Sequence, residues 1–371
     1  MTEHLFIGAF ILFQIAFLIQ VYYILMVHQK LGSYKKHNVD HVKHPVSVII
    51  CARNEEQNLE QNLASVLEQD YPNFEVVVVN DCSVDDSGLV LRSFSQKYSN
   101  LKIVTLTEHE RFKHGKKFAV TLGIKAAANE HLLFTDADCK PSSPNWITQM
   151  QRNFNGSKQI ILGYSPYTIE NGFLNKLIRF ETFYTALNYF SFALAGTPYM
   201  GVGRNMAYTK SLFFKGKGFA SHMHIPSGDD DLFVNQNASP NNVAIELDTE
   251  AQVWTEPKKT FLSYFKQKIR HMGAGRVYKA KHKRMLSLLM GSALVFYICL
   301  FTLLALKAQW WLLLIFVGLR LVMQIVIYLP AFKKLSYGGL IWWLPALDLI
   351  YNFYILVVSI ISLFKKTVKW K

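Results

Sequence analysis

Four long apolar runs, placed at the two ends of the chain, limit what it can fold into. Leu5 to Val27 is interrupted only by Gln14 and Gln20. As a helix its 23 residues would reach about 35 Å, enough to cross a bilayer. A signal peptide is the weaker reading, because no basic stretch precedes the run and no small-x-small cleavage site follows it. Lys30, Lys35 and Lys36 come next, which places that end on the cytoplasmic side. Leu286 to Leu306 and Trp310 to Leu329 are expected to form a helical hairpin, and Gly339 to Phe364 is a last apolar stretch holding Pro345 and Asp348. Trp310, Trp311, Trp342 and Trp343 suit membrane interfaces.

The runs explain the composition. Hydrophobic residues make up 51% of the chain, more than a purely soluble enzyme would carry. The net charge of +14 calls for an anionic partner. Nucleic acid is a poor candidate, since there is no Arg-rich helix and no zinc or RNA-binding signature. Lipid headgroups and phosphate-bearing substrates fit better, because many lysines flank the apolar runs. Cys51, Cys82, Cys139 and Cys299 form no C-x-x-C pair and read as small core thiols in a reducing compartment.

Charge conflicts with a simple topology at the end of the chain. With the middle of the chain inside, the hairpin returns at Lys333-Lys334, and one more crossing would export the basic run Lys365 to Lys371. Either the bias is broken, or the last stretch is re-entrant or interfacial. The expected division is a membrane helix over 1–30, a cytoplasmic domain over 31–278 and a membrane region of two to three helices over 279–371.

Between the runs, β-branched segments alternate with helical ones. Strands are expected at Val46–Cys51, Glu75–Asn80, Leu101–Leu106 and His131–Thr135, and helices at Glu56–Gln69, Ser87–Tyr98 and Lys116–Ala128. This pattern predicts an α/β fold, a Rossmann-like, mostly parallel sheet with helices on both faces. Ligands bind such sheets at the carboxyl ends of the strands.

The polar motifs fall at those ends. Asp136 and Asp138 follow the fourth strand, where two carboxylates can share one hard cation, or divide the work between metal and sugar hydroxyls. An acidic pair alone often only caps a turn, and its position is what gives it weight. Asp81 ends the second strand and could accept a hydrogen bond from a base N–H, while Asp85 and Asp86 suit helix capping. Arg53 and Glu55 end the first strand, with reach to phosphate and ribose or base; the plainer alternative for Glu55 is a helix N-terminus. His114-Gly115-Lys116-Lys117 offers a basic loop at a helix start, or merely surface charge. Gly228-Asp229-Asp230-Asp231-Leu232 packs like charges together, so one could serve as a base; a metal loop or a helix N-terminus competes. Gln267 and Arg270 share one helix face, and could hold acceptor or diphosphate or rest on anionic lipid.

Taken together, V-S-V-I-I-C-A-R-N-E-E, V-V-N-D-C-S-V-D-D-S, H-G-K-K, D-A-D, G-D-D-D-L and Q-K-I-R-H resemble, in order and spacing over about residues 45–275, the family-2 inverting glycosyltransferases. The resemblance implies a GT-A fold, a nucleotide-diphospho-sugar donor and Mg2+ or Mn2+. It would make Arg53, Glu55 and Asp81 nucleotide-binding. Asp136 would contact donor and help with the metal, Asp138 would hold the metal, and Lys117 would lie near the donor. Counting back from Leu232 makes Asp229 the base, with Asp230 the alternative and Gly228 where the family has Glu. Gly201-Val202-Gly203-Arg204-Asn205 resembles a segment near the acceptor, adding Arg204 and Asn205. Gln267 and Arg270 match the Q-x-x-R-W motif of membrane synthases and ceramide glucosyltransferases, but His271 stands in place of Trp, which counts against a processive polymer mechanism. The expected reaction is transfer of a sugar, with UDP-sugars preferred, to a lipid or lipid-linked acceptor at the cytoplasmic face of a bacterial inner membrane. A non-catalytic scaffold, a polysaccharide synthase and a nucleotidyltransferase are the competing readings.

Overall fold

The computed structural model describes residues 2–36, 42–107, 115–225 and 227–364. The chain enters through helix α1 (Thr2–Tyr22), which continues through a π-helical turn, Tyr23–His28, into α2 (Gln29–Ser33). A βα alternation follows: β1 (Val46–Ala52), α3 (Glu56–Leu67), β2 (Phe74–Asp81), α4 (Ser87–Lys97), β3 (Leu101–Leu106), α5 (Lys116–Ala126) and β4 (His131–Asp136). These elements match the sequence expectation to within two residues at each boundary. Every residue of β1 is buried, the mark of a strand covered on both faces. Gly123 lets α5 press onto the sheet, because a Cβ there would stand 2.8 Å from Ile49 Cγ2.

The next region was not legible strand by strand. It contains β5 (Cys139–Pro141), α6 (Trp146–Gln151), β6 (Ile160–Leu162), α7 (Phe173–Leu194), β7 (Met206–Thr209), α8 (Lys210–Lys215), α9 (Asp231–Asn237), β8 (Val243–Ile245) and β9 (Val253–Thr255). The seven-stranded sheet runs β3-β2-β1-β4-β7-β6-β8, and β5 pairs with β9 in a separate ribbon. β1 to β4 are mutually parallel where they pair, β7 is antiparallel to β4 and β6, and β8 is parallel to β6. This is the mostly parallel GT-A sheet expected.

Helices α10 (Phe261–Gly275), α11 (Ala280–Ala305), α12 (Trp310–Lys334) and α13 (Leu344–Phe364) complete the chain. Among the described residues, four helical segments, Glu3–Ser33, Ala280–Ala305, Trp310–Lys334 and Gly338–Ser362, are long and apolar enough to cross a membrane. One apolar core runs from the sheet through α7 into these helices, and the Phe183 and Phe332 rings stack with centroids 3.4 Å apart. Lys334 Nζ donates to the Leu31 and Gly32 carbonyls at 3.1 and 2.7 Å, closing the end of α2. Within the apolar layer Arg320 is 2.8 Å from Asp348, and its Nε donates to Gln20 at 2.5 Å. Pairing offsets the large cost of placing either charge there alone.

Candidate active site

The parallel strands deliver β1, β2 and β4 to one edge, and the loops beyond β1 and β2 are knitted together. Asn54 N–H donates to Ser83 Oγ at 3.0 Å, and Val84 N–H returns a bond to Asn54 Oδ1 at 2.9 Å. Asn54 and Cys82 both adopt left-handed backbone, φ +54° and +53°. Asp85 serves both following helices: it accepts from Glu56 N–H at 3.2 Å and Ser87 N–H at 3.1 Å. Asp86 makes no side-chain cap, so capping belongs to Asp85 alone. Arg53 is half-buried just past β1, Glu55 accepts from Asn58 Nδ2 at 2.5 Å, and Asp81 is fully buried at the end of β2.

Asp136 ends β4 in a cleft that is also lined by Lys116, Thr135, Gly203, Asp229 and Asp230. Lys116 Nζ lies 2.9 Å from Asp136 and 3.4 Å from Asp229. Burial would raise the Asp136 carboxyl, but Lys116 outweighs it and, with Arg204 and Arg270, holds it below the usual carboxylate range. Asp138 moves the opposite way: burial and then the Asp136 charge push it up. Burial works against the Lys116 charge, yet Asp136, Asp229 and Asp230 keep its pKa well above the ordinary value.

Among the described residues no three His, Cys, Asp or Glu gather as a metal-binding group. Asp136 and Asp138 nonetheless fit a cation shared with a diphosphate, which needs only one or two protein carboxylates. Two neighbouring half-buried carboxyls, one pushed up by its surroundings and then by the other's charge, are an environment that a cation would relieve. The buried Thr135 hydroxyl beside them has no partner among the described residues.

The three consecutive aspartates are not equivalent. Asp230 caps α9, its two oxygens accepting from Gly203 N–H at 2.8 Å and Asp231 N–H at 2.7 Å. Asp231 accepts from Leu232 N–H at 2.7 Å and Tyr278 O–H at 2.8 Å. Burial and the Asp230 charge push the Asp231 carboxyl up to about 8. Asp229 is the one that faces Lys116. Gly228 makes the turn at φ +91°, and a Cβ there would stand 2.6 Å from Leu232 Cδ1. That explains why this chain has glycine rather than a larger residue.

Two expected residues are drawn elsewhere. Lys117 does not reach the carboxylates: it is buried, and its ammonium donates to the His222 and Ile225 carbonyls at 2.6 and 3.1 Å. Lys116, one residue earlier and one helix face away, takes that place. The H-G-K-K motif held the signal but not the choice of lysine; His114 lies outside the described residues. Asn205 is fully buried and its amide is used internally, accepting from Trp146 Nε1 at 3.0 Å and donating to the Tyr164 and Ala251 carbonyls at 2.7 and 2.8 Å. It holds the fold together and has no group left for an acceptor. Its neighbour Arg204 stacks over Tyr167 at 4.6 Å and acts electrostatically on both Asp136 and Asp138.

α10 carries Gln267 and Arg270, both half-buried, with Arg270 near enough to lower Asp136, while His271 is exposed. Ser227, next to Gly228, donates to the Arg270 carbonyl at 3.4 Å. Lys268 pairs with the buried Glu181 of α7 at 2.8 Å, a link that no motif announced.

Residues 47–214 match the model of Glycosyl transferase family 2. Glycosyltransferase AglE of Haloferax volcanii is 33% identical over 130 residues, 34% of this chain and 41% of that protein. The Escherichia coli UDP-Glc:alpha-D-GlcNAc-diphosphoundecaprenol beta-1,3-glucosyltransferase WfaP is 26% identical over 132 residues, 35% of this chain and 48% of that protein. The chain thus spans less than half the length of these relatives. The mannosyltransferase PcManGT from Pyrobaculum calidifontis, solved with GDP-Man and Mn2+, has the same fold: TM-score 0.60 at 17% identity, covering 94% of this chain and 98% of that one. The matched segment runs from β1 to β7 of the sheet described above and is similar to glycosyl transferase family 2, and the chain as a whole has a GT-A fold.

Proposed function

We propose that the chain transfers one sugar, with inversion, from a nucleoside diphosphate sugar to a hydroxyl of a lipid or lipid-linked acceptor at the cytoplasmic membrane face. The observation that carries this reading is Lys116 placed between Asp136 and Asp229, so that the carboxylate at the end of β4 and a second carboxylate suited to act as a base share one cleft. Arg53, Glu55 and Asp81 line the nucleotide. Asp136 and Asp138 would hold Mg2+ or Mn2+, which when bound would supply charge neutralisation for the leaving diphosphate. Asp229 takes the proton of the acceptor hydroxyl as that oxygen bonds to the anomeric carbon, and the bond to diphosphate breaks with its electron pair on the leaving group. Asp230 fixes the start of α9 and so the aim of Asp229. Arg204, Gln267 and Arg270 attract the diphosphate or the acceptor head.

The lipid acceptor rests on the membrane helices packed beside α10 and on WfaP, whose name specifies a diphosphoundecaprenol-linked sugar. PcManGT, solved with GDP-Man, keeps guanine beside uracil as a candidate base. The cytoplasmic assignment rests on lysines at the domain's end of the helices, Lys30, Lys35, Lys333 and Lys334 among them.

The test is release of nucleoside diphosphate from UDP- and GDP-sugars by purified protein, with Mn2+ and membrane lipid extract. Activity should appear with one donor and vanish in Asp138→Ala. Parent-level, metal-independent turnover by that variant would sink the reading, and pyrophosphate as product would indicate nucleotidyl transfer instead.

A further inference from the structure

Length and apolarity would allow Gly338–Ser362 to cross a bilayer. We infer that it does not: the segment enters the apolar layer and returns, so that both of its ends lie on the face occupied by the α/β domain.

The entry side is fixed by contacts with the domain. α12 ends where Tyr337 O–H donates to the Tyr167 carbonyl at 2.8 Å. The chain then goes inward. The Asp348 carboxylate meets Arg320 at 2.8 Å and Tyr297 O–H at 2.5 Å. Arg320 lies fourteen residues before the end of α12, about 21 Å along the helix. From that depth α13 comes back. The Tyr351 ring packs 5.4 Å from Tyr184 of α7, and Tyr354 stacks 5.6 Å from Tyr264 of α10.

The exit is fixed at Ser362, whose carbonyl accepts from the Arg276 guanidinium. Arg276 lies directly between α10 and α11, on the side where α11 begins: Lys279 N–H donates to Asn235 of α9 at 2.9 Å. A 21-residue helix is about 32 Å long. Had α13 crossed, Ser362 would lie near the opposite turn, between Ala305 and Trp310, not beside Arg276.

This path removes the charge conflict. Three crossings, by α1, α11 and α12, leave the chain at Phe364 on the domain side, where Lys30, Lys333 and Lys334 already lie. The basic run 365–371 lies outside the described residues, and an exit of the chain on that side is the one the positive-inside bias favours. The path also gives α13 a role, because it braces α10, the helix carrying Gln267 and Arg270.

The inference concerns topology and stands or falls apart from catalysis. Single cysteines are placed at Lys366, at Lys125 in the domain and at Lys307 in the α11–α12 turn. Cys82, the one cysteine of the four that is not buried, is changed to serine. Each full-length protein is treated with a membrane-impermeant maleimide in sealed vesicles of one orientation. Lys366→Cys should label in the same vesicles as Lys125→Cys, and Lys307→Cys only in the opposite ones. Labelling of Lys366→Cys together with Lys307→Cys would overturn the inference. An epitope appended after Lys371 needs no substitution: antibody should reach it without detergent in vesicles whose domain faces out. Access only after detergent would overturn the inference equally.

Discussion

The side of the cleft proposed for the donor and the side proposed for the base face each other across Lys116, but they are built in different ways. The donor side consists of strand ends. Arg53, Asp81 and Asp136 arrive together because β1 pairs in parallel with β2 and with β4, and parallel register puts all carboxyl ends on one edge. The base side is assembled from distant pieces. Asp229 sits at the start of a seven-residue helix held by Gly203, by Tyr278 and, through Ser227, by α10. A site made of sheet edges tolerates local change. A site made of side chains held by contacts between distant segments depends on each of those contacts.

That contrast can be broken by experiment. The largest effect is expected from Asp229→Asn, which should lower turnover about 10²–10⁴-fold, the usual worth of general base catalysis. Nucleotide binding, followed by calorimetry, should remain. If Asp229→Asn keeps parent activity while Asp230→Asn loses it, the assignment within the acidic triplet is reversed.

The two lysines of α5 separate the halves more finely. Lys116→Met removes a charge from between Asp136 and Asp229 and should cost roughly tenfold to a hundredfold in kcat/KM, the scale of one charge-assisted hydrogen bond. Lys117→Met removes a buried ammonium held by two carbonyls, and its effect should appear as a lower melting temperature at nearly unchanged kcat/KM. Equal kinetic losses in the two variants would dissolve the distinction.

A smaller effect is expected at the turn. Gly228→Ala forces a Cβ into φ +91° and against Leu232 and should destabilise the protein by about 1–3 kcal/mol, a typical cost of a strained backbone position. Denaturant titration in detergent would measure it. A neutral result would mean that α9 starts with more latitude than its contacts indicate.

The same contrast explains what could be read from residues alone. Strands β1 to β4 and the helices between them were legible because their patterns are continuous, and because turn residues mark their ends. Asp136 and Asp138 were legible because they directly follow a strand. Lys116 was not separable from Lys117, since adjacent helical residues differ only in which way they face, and neighbouring elements set that. Asn205 looked free because nothing in its motif shows that Trp146, Tyr164 and Ala251 consume its amide. The strands of three or four residues between 139 and 260 left no period long enough to recognise.

The sequence by itself determined the framing apolar runs, the α/β alternation and the order of the chemical motifs, because each is a property of neighbouring residues. It also posed the problem of the basic run after Phe364 without solving it. Only the tertiary structure decided which carboxylate of three faces Lys116, which lysine bridges the cleft, and how the last helix turns back. Those outcomes depend on contacts between residues far apart in the chain, such as Tyr278 with Asp231 and Arg276 with Ser362. Such contacts form only when the chain has folded, because they link surfaces that no local pattern brings together.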